Sequence, residues 1–199
     1  MTTTAVFVEL LVTGLLALIW LALTFLSATG MSWSDLMAVT GVKEKESVTS
    51  ILILCFAYVL GIVVDRAADS LFHPIDMNIR KRRIDAKLPS VSEMRMYVMS
   101  SSERLASFLG YLRSRLRLAR SSSLNFLLVT VTALIFLSTR TSTEKVVVIA
   151  VTVCGLGVFA SSSFAWVRIS RTYYKRLAQA YELLKKQEHH RNKAPQTTP

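Results

Sequence analysis

Four stretches without a charged residue constrain this chain more than anything else in it. They are Leu10–Ala28, Val48–Val64, Ser121–Thr139 and Val146–Val167, of 19, 17, 19 and 22 residues. A helix needs roughly 17–25 apolar residues to cross the hydrocarbon core of a bilayer. Within that core every backbone amide must find its partner inside the segment, so each stretch is expected to be helical. Burial in a soluble core would account for one such run, not for four in 199 residues. The 52% of hydrophobic residues is gathered in these blocks, and the fold class read from them is an all-α membrane protein with four transmembrane helices. The first run reads as a retained span rather than a signal peptide. Met1-Thr-Thr-Thr-Ala has no basic lead-in, and the run exceeds the roughly 7–15 residues of a signal core.

The charges lie between and after the runs. The insert Asp65–Arg120 holds twelve basic and six acidic residues, net +6, and the segment Arg168–Pro199 is also net +6. Thr29–Ser47 is net −1 and Arg140–Lys145 net +1. Lys and Arg concentrated on one side predict that side to be cytoplasmic. Both termini and the insert then share the cytoplasmic face of the cell's inner (plasma) membrane, as an even number of spans requires. This distribution explains the net charge of +11 without a nucleic-acid partner. The chain divides into a first hairpin 1–64, a basic insert 65–120, a second hairpin 121–167, a cytoplasmic helix 168–188 and a disordered tail 189–199.

The insert carries the candidate ligand chemistry. Arg80-Lys81-Arg82-Arg83 follows Pro74, which is expected to end or kink the preceding helix. Ser90 and Glu93 stand in capping-box spacing and predict a helix from Val91 towards Arg120, with Ser121-Ser122-Ser123 separating it from the third span. Leu105, Leu109, Leu112 and Leu116 fall on one face of it, with Arg113, Arg117 and Arg120 alongside. Such a face suits a bilayer interface or packing against a neighbouring helix with arginines offered to an anion. The candidate residues for anionic lipid or another anionic ligand are therefore Arg80, Lys81, Arg82, Arg83, Arg113, Arg117 and Arg120. Asp65, Asp69 and His73 recur at i, i+4 and i+8 and form a weak metal column; charge pairing with nearby cations is the plainer account.

Inside the spans the notable residues are small or acidic. Glu9 lies one turn into the first, where a carboxylate suits the positive helix end or a pairing or pore role with Arg66 or Arg168 opposite. Thr13, Gly14, Ala17 and Thr24 allow close helix contact, and Trp20 is expected to pack against another helix. Ala150, Cys154, Gly157, Ser161 and Ala165 recur at helical spacing along the fourth span, a small-residue face for packing or pore lining. The helical pattern continues through Ile169, Tyr173, Leu177, Ala180 and Leu184, so the fourth span is expected to extend to about Gln187. Cys55 and Cys154 read as small apolar fillers.

No Gly-rich phosphate loop, zinc-protease helix, nucleophile elbow or paired-cysteine motif occurs, so no catalytic residue and no cofactor are expected. The span interiors offer Thr, Ser, Cys and Gly rather than ionisable groups, which argues against an ion-coupled transporter. The favoured expectation is a homo-oligomeric pore or ion channel, a tetramer before other ring sizes, gated through its basic cytoplasmic helices. The alternative is a non-conducting sensor or scaffold that binds anionic lipid or recruits a soluble partner. A lipid-modifying enzyme using Asp65, Asp69 and His73 is a third class. The general layout is similar to that of small bacterial four-span effectors of antiviral defence, an analogy of architecture alone.

Overall fold

The computed structural model describes residues 3–32, 34–36, 46–85, 88–140 and 144–193. Five long helices stand among them: α1 (Thr3–Thr29), α2 (Glu46–Arg83), α3 (Val91–Ser101), α4 (Glu103–Ser138) and α5 (Lys145–Lys193). No strand occurs among the described residues. α1, α2, α4 and α5 are each long and apolar enough to cross a membrane, matching the four charge-free runs.

The helix ends follow local chemistry. α1 stops at Gly30, whose φ of 70° is the left-handed conformation that glycine adopts without steric cost. Beyond it, the Ser32 hydroxyl and N–H both donate to Asp35 Oδ2, at 2.6 and 2.8 Å, and hold that carboxyl below its ordinary pKa. α3 opens on the expected capping box: Glu93 N–H donates to Ser90 Oγ at 3.3 Å, and Ser90 N–H to Glu93 Oε2 at 3.0 Å.

Four boundaries differ from expectation. α2 runs through Pro74 to Arg83, so of the expected end or kink it is the end that does not occur. Proline removes a single helical N–H, and the turns on either side keep theirs. The helix expected from Val91 to Arg120 is interrupted at Ser102, which adopts an extended φ of −155°. Ser102 closes α3 by donating its N–H to the Val98 carbonyl (3.1 Å), and it opens α4 by accepting from Leu105 N–H on its Oγ (3.5 Å). Ser121–Ser123 separates nothing; α4 passes straight through it, because the hydroxyls find tertiary partners instead of competing with the helix backbone. α5 also outlasts the expected stop near Gln187 and continues through His189 and His190 to Lys193. No proline or glycine stands between Gln187 and Pro195 to stop it. Residues 194–199 of the expected tail lie outside the described residues.

The chain groups into two compact units. An apolar unit takes Thr2–Phe72 and Arg117–Trp166; a basic unit takes His73–Leu116 and Val167–Pro199. Asp65–Phe72 and Arg117–Arg120 thus belong with the apolar helices rather than with the insert.

In the apolar unit the core is Ala17, Val64, Ala68 and Leu124, with Trp20, Leu60, Phe72 and Leu128 packed on it. α1 and α2 touch backbone to backbone. A Cβ added at Gly14 would lie 1.6 Å from the Ala57 carbonyl oxygen, and one at Gly61 would lie 1.9 Å from that of Leu10. Close approach of this kind supplies van der Waals attraction where lipid offers no hydrophobic drive. Gly155 similarly brings α5 against Thr130 of α4.

In the basic unit Met94 and Val98 of α3, Leu109 and Leu116 of α4, and Tyr173, Leu177 and Ala180 of α5 are buried. The leucine face of α4 is therefore a packing face. Tyr97 donates its hydroxyl to Glu188 at 2.6 Å and lies edge-on to Tyr181, tying α3 to the late turns of α5.

Candidate functional site

The apolar unit contains a partly buried ionic cluster. Asp65, on α2, is 7% exposed. Its Oδ2 lies 3.1 Å from Arg117 Nη2, its Oδ1 lies 3.7 Å from Arg120 Nη2, and Ser121 Oγ donates to Oδ1 at 3.2 Å. Arg120, also 7% exposed, bridges onward to Asp69 through Nη1. Positions 65 and 69 fall one turn apart on α2, and 117, 120 and 121 one turn apart on α4. Each helix thus presents its charges as a column to the other. Two carboxylates and two guanidiniums balance in formal charge; Asp65 and Arg120 are the buried pair, and the more exposed Arg117 and Asp69 each take one of them as partner.

Next to this cluster stands Glu9 of α1. It is half-buried, its Oε2 forms no hydrogen bond among the described residues, and the charges it feels are those of Arg117 and Asp65, not Arg66. One turn deeper, Asn125 of α4 accepts from Trp20 Nε1 at 3.1 Å and donates from Nδ2 to the Thr13 carbonyl at 2.9 Å. Ser123 and Ser163 share a hydrogen bond at 2.6 Å, and Ser162 donates to the Ala119 carbonyl at 3.2 Å, joining α4 to α5. A polar ladder along α4, from Ala119 to Asn125, therefore joins it to α1, α2 and α5.

The metal column dissolves in this geometry. Asp65 and Asp69 are both engaged by arginine, His73 is exposed, and no group of three metal-ligating side chains forms among the described residues. The arginine stripe also divides: Arg117 and Arg120 neutralise the α2 carboxylates, while Arg113 belongs to the basic unit, where its charge reaches Tyr173. The five small residues of α5, Ala150, Cys154, Gly157, Ser161 and Ala165, are all exposed. Within one chain they are no packing seam; nothing lies within 4 Å of a Cβ built at Gly157.

The basic unit holds a second site. Of the four-cation run, Lys81, Arg82 and Arg83 are exposed and Arg80 is half-buried. Arg83 closes a groove of about 340 Å³ whose opposite wall is one face of α5: Arg171, Thr172, Lys175, Arg176 and Gln179. No acidic side chain lines it. Beneath, Asp76 accepts from Tyr174, which holds the end of α2 against α5. The sequence reading found Arg83 but missed Arg171, Lys175 and Arg176. Their spacing at i, i+4 and i+5 marks one helical face and was available as a signal; what was not available was that α2 would persist past Pro74 and bring Arg83 opposite.

Comparison with protein families, with curated proteins and with solved structures returns no match.

Proposed function

We propose that this chain is a multi-pass protein of the inner (plasma) membrane, both termini cytoplasmic, which assembles as a cyclic homo-oligomer through α5 and forms a pore whose opening is controlled by the basic helices. One observation carries the reading. None of the most apolar eighteen residues of α5 is buried within the chain, against 22%, 17% and 33% for the matching windows of α1, α2 and α4. Lipid would satisfy the large apolar residues that α5 exposes, such as Ile149, Val153 and Phe164. Its small residues in register, Ala150, Cys154, Gly157, Ser161 and Ala165, favour close approach of another helix. A second copy supplies that helix, and closed rotational symmetry is the usual outcome for identical chains. Ser161 and its neighbours add hydroxyls to that face, which suits a water-filled lumen.

The cation groove favours a second reading, a non-conducting sensor of anionic ligand. Reconstitution in liposomes separates the two. The pore reading expects ion flux above that of empty vesicles and a single oligomer mass in detergent. Flux equal to that of empty vesicles, with and without anionic lipid, overturns it. The orientation is tested separately, by a reporter fused after Pro199, expected to read cytoplasm, and by a cysteine placed at Ser142, expected to label from outside; Ser142 lies outside the described residues.

A further inference from the structure

We infer that the groove between Arg83 and α5 is a binding site for clustered phosphates, of the kind carried by a multiply phosphorylated lipid headgroup or a free polyphosphate. Arg171, Lys175 and Arg176 present three cations along one face of α5, and Arg83 adds a fourth from the last turn of α2. All four side chains are exposed, so water and salt screen most of their mutual repulsion, and an anion held among them would be drawn by all four at once. Arg117 and Arg120 take the carboxylates of Asp65 and Asp69, and Lys185 and Arg115 lie over the rings of Tyr181 and Tyr111. The groove differs in gathering four cations around one cavity whose lining holds no carboxylate and no ring. The dipole of α2 opposes an anion here, because its C-terminal end is negative, but about half a charge is outweighed by four whole ones.

Guanidinium forks at Arg83, Arg171 and Arg176 match phosphate oxygens in pairs, which a solitary carboxylate would leave underused. The volume of about 340 Å³ falls at the lower end of small-molecule sites, roughly 300–1,000 Å³, and so exceeds what one phosphate needs. Gln179 adds a neutral amide for the non-ionic part of the ligand. Position also favours a headgroup. Arg171 lies four residues beyond Val167, where the charge-free run ends, and at 1.5 Å per residue that is about 6 Å further along the same helix. Polar headgroups occupy about that depth outside the hydrocarbon core. The lipid source rests on the proposed membrane insertion of α5; the phosphate chemistry of the groove does not.

Native mass spectrometry of the full chain in nanodiscs tests it. The bilayers are phosphatidylcholine with a few per cent of either phosphatidylinositol bisphosphate or charge-matched phosphatidylserine, and soluble inositol trisphosphate is titrated in parallel by calorimetry in detergent. The groove variant combines Arg171→Gln, Lys175→Gln and Arg176→Gln. A control removes the same charge outside the groove with Arg104→Gln, Arg115→Gln and Lys186→Gln. A conservative variant, Arg171→Lys with Arg176→Lys, guards against a folding defect. The expected result is retention of the bisphosphate lipid over phosphatidylserine by wild type and control, at least about tenfold weaker in the groove variant and intermediate in the lysine variant. Binding of the soluble headgroup with no gain from the bilayer assigns a free polyphosphate as the ligand. The soluble arm also reads the groove if the chain does not insert. Equal weakening in groove and control variants, or no preference for clustered phosphate in either arm, overturns the inference.

Discussion

Asp65 on α2 and Arg117 on α4 form an ion pair of 3.1 Å in which the carboxylate is almost sealed and the guanidinium is 30% exposed. The buried carboxylate has no water to fall back on, so its stability depends on Arg117, Arg120 and Ser121 together. Asp65→Ala would leave Arg120 inside with only Asp69. Breaking a buried pair from one side costs about 3–5 kcal/mol. We expect a large drop in thermal midpoint in detergent for Asp65→Ala, and a smaller drop when Arg120→Leu is added to it. A double variant as unstable as the sum of the two singles would show that the residues act independently.

The two glycine faces are expected to behave oppositely. Gly61→Ala drives a methyl into the Leu10 carbonyl oxygen, and backbone on both sides leaves nothing flexible to move. Overpacking of this kind costs roughly 1–3 kcal/mol or more, so the variant should unfold earlier as a monomer. Gly157→Leu meets nothing within its own chain and should leave monomer stability unchanged while lowering oligomer mass. Val153→Leu, exposed on α5 but off the small face, should alter neither. Light scattering coupled to size exclusion reads all three; unchanged mass in Gly157→Leu would remove the observation on which assembly rests.

Asn125 joins α4 to both Trp20 and the Thr13 carbonyl. Replacing it by leucine strands an indole N–H and a main-chain oxygen in an apolar setting. Interhelical hydrogen bonds in membranes are worth about 0.6–2 kcal/mol, so Asn125→Leu should destabilise by about that amount. A shift in tryptophan emission should accompany it. A midpoint equal to or above wild type would mean that packing of the leucine outweighs both bonds.

Tyr97 offers a pH readout of the basic unit. Its hydrogen bond to Glu188 raises the phenol above its ordinary pKa of 10.0, with burial and the carboxylate charge adding to the shift. A raised folded pKa means that the contribution is complete below about pH 10 and is lost as pH climbs through the folded value. Ring-labelled tyrosine spectra, assigned with Tyr97→Phe, should show Tyr97 titrating late, as Tyr173 and Tyr174 do through burial, and Glu188→Gln should return Tyr97 alone towards the exposed tyrosines. A Tyr97 signal that titrates with the exposed tyrosines in wild type would mean that α3 and α5 are not joined there in solution.

How far the sequence carried can be read from individual residues. The four apolar helices were legible because each depends only on its own composition: in an apolar medium a segment must satisfy its backbone internally, and a charge-free run of sufficient length has one way of doing so. The Ser90–Glu93 box was legible for the same reason, both partners lying within one turn. Serine in the middle of a helix was misleading, since Ser121 and Ser123 resemble a break until their partners Asp65 and Ser163 are in place.

What the tertiary structure alone decided is which faces meet. Gly14 and Gly61 are 47 positions apart, Trp20 and Asn125 105, and nothing local to either says that they touch. The small face of α5 has the composition of a seam as clearly as the α1–α2 contact does, yet within one chain only the latter is used. Arg117 and Arg120 look, by spacing, like a continuation of Arg113 towards an external anion; the carboxylates of α2 take them instead. Local helix propensity depends on neighbours in sequence, whereas pairing depends on complementary shape and charge between helices, and only the folded chain sets those opposite each other.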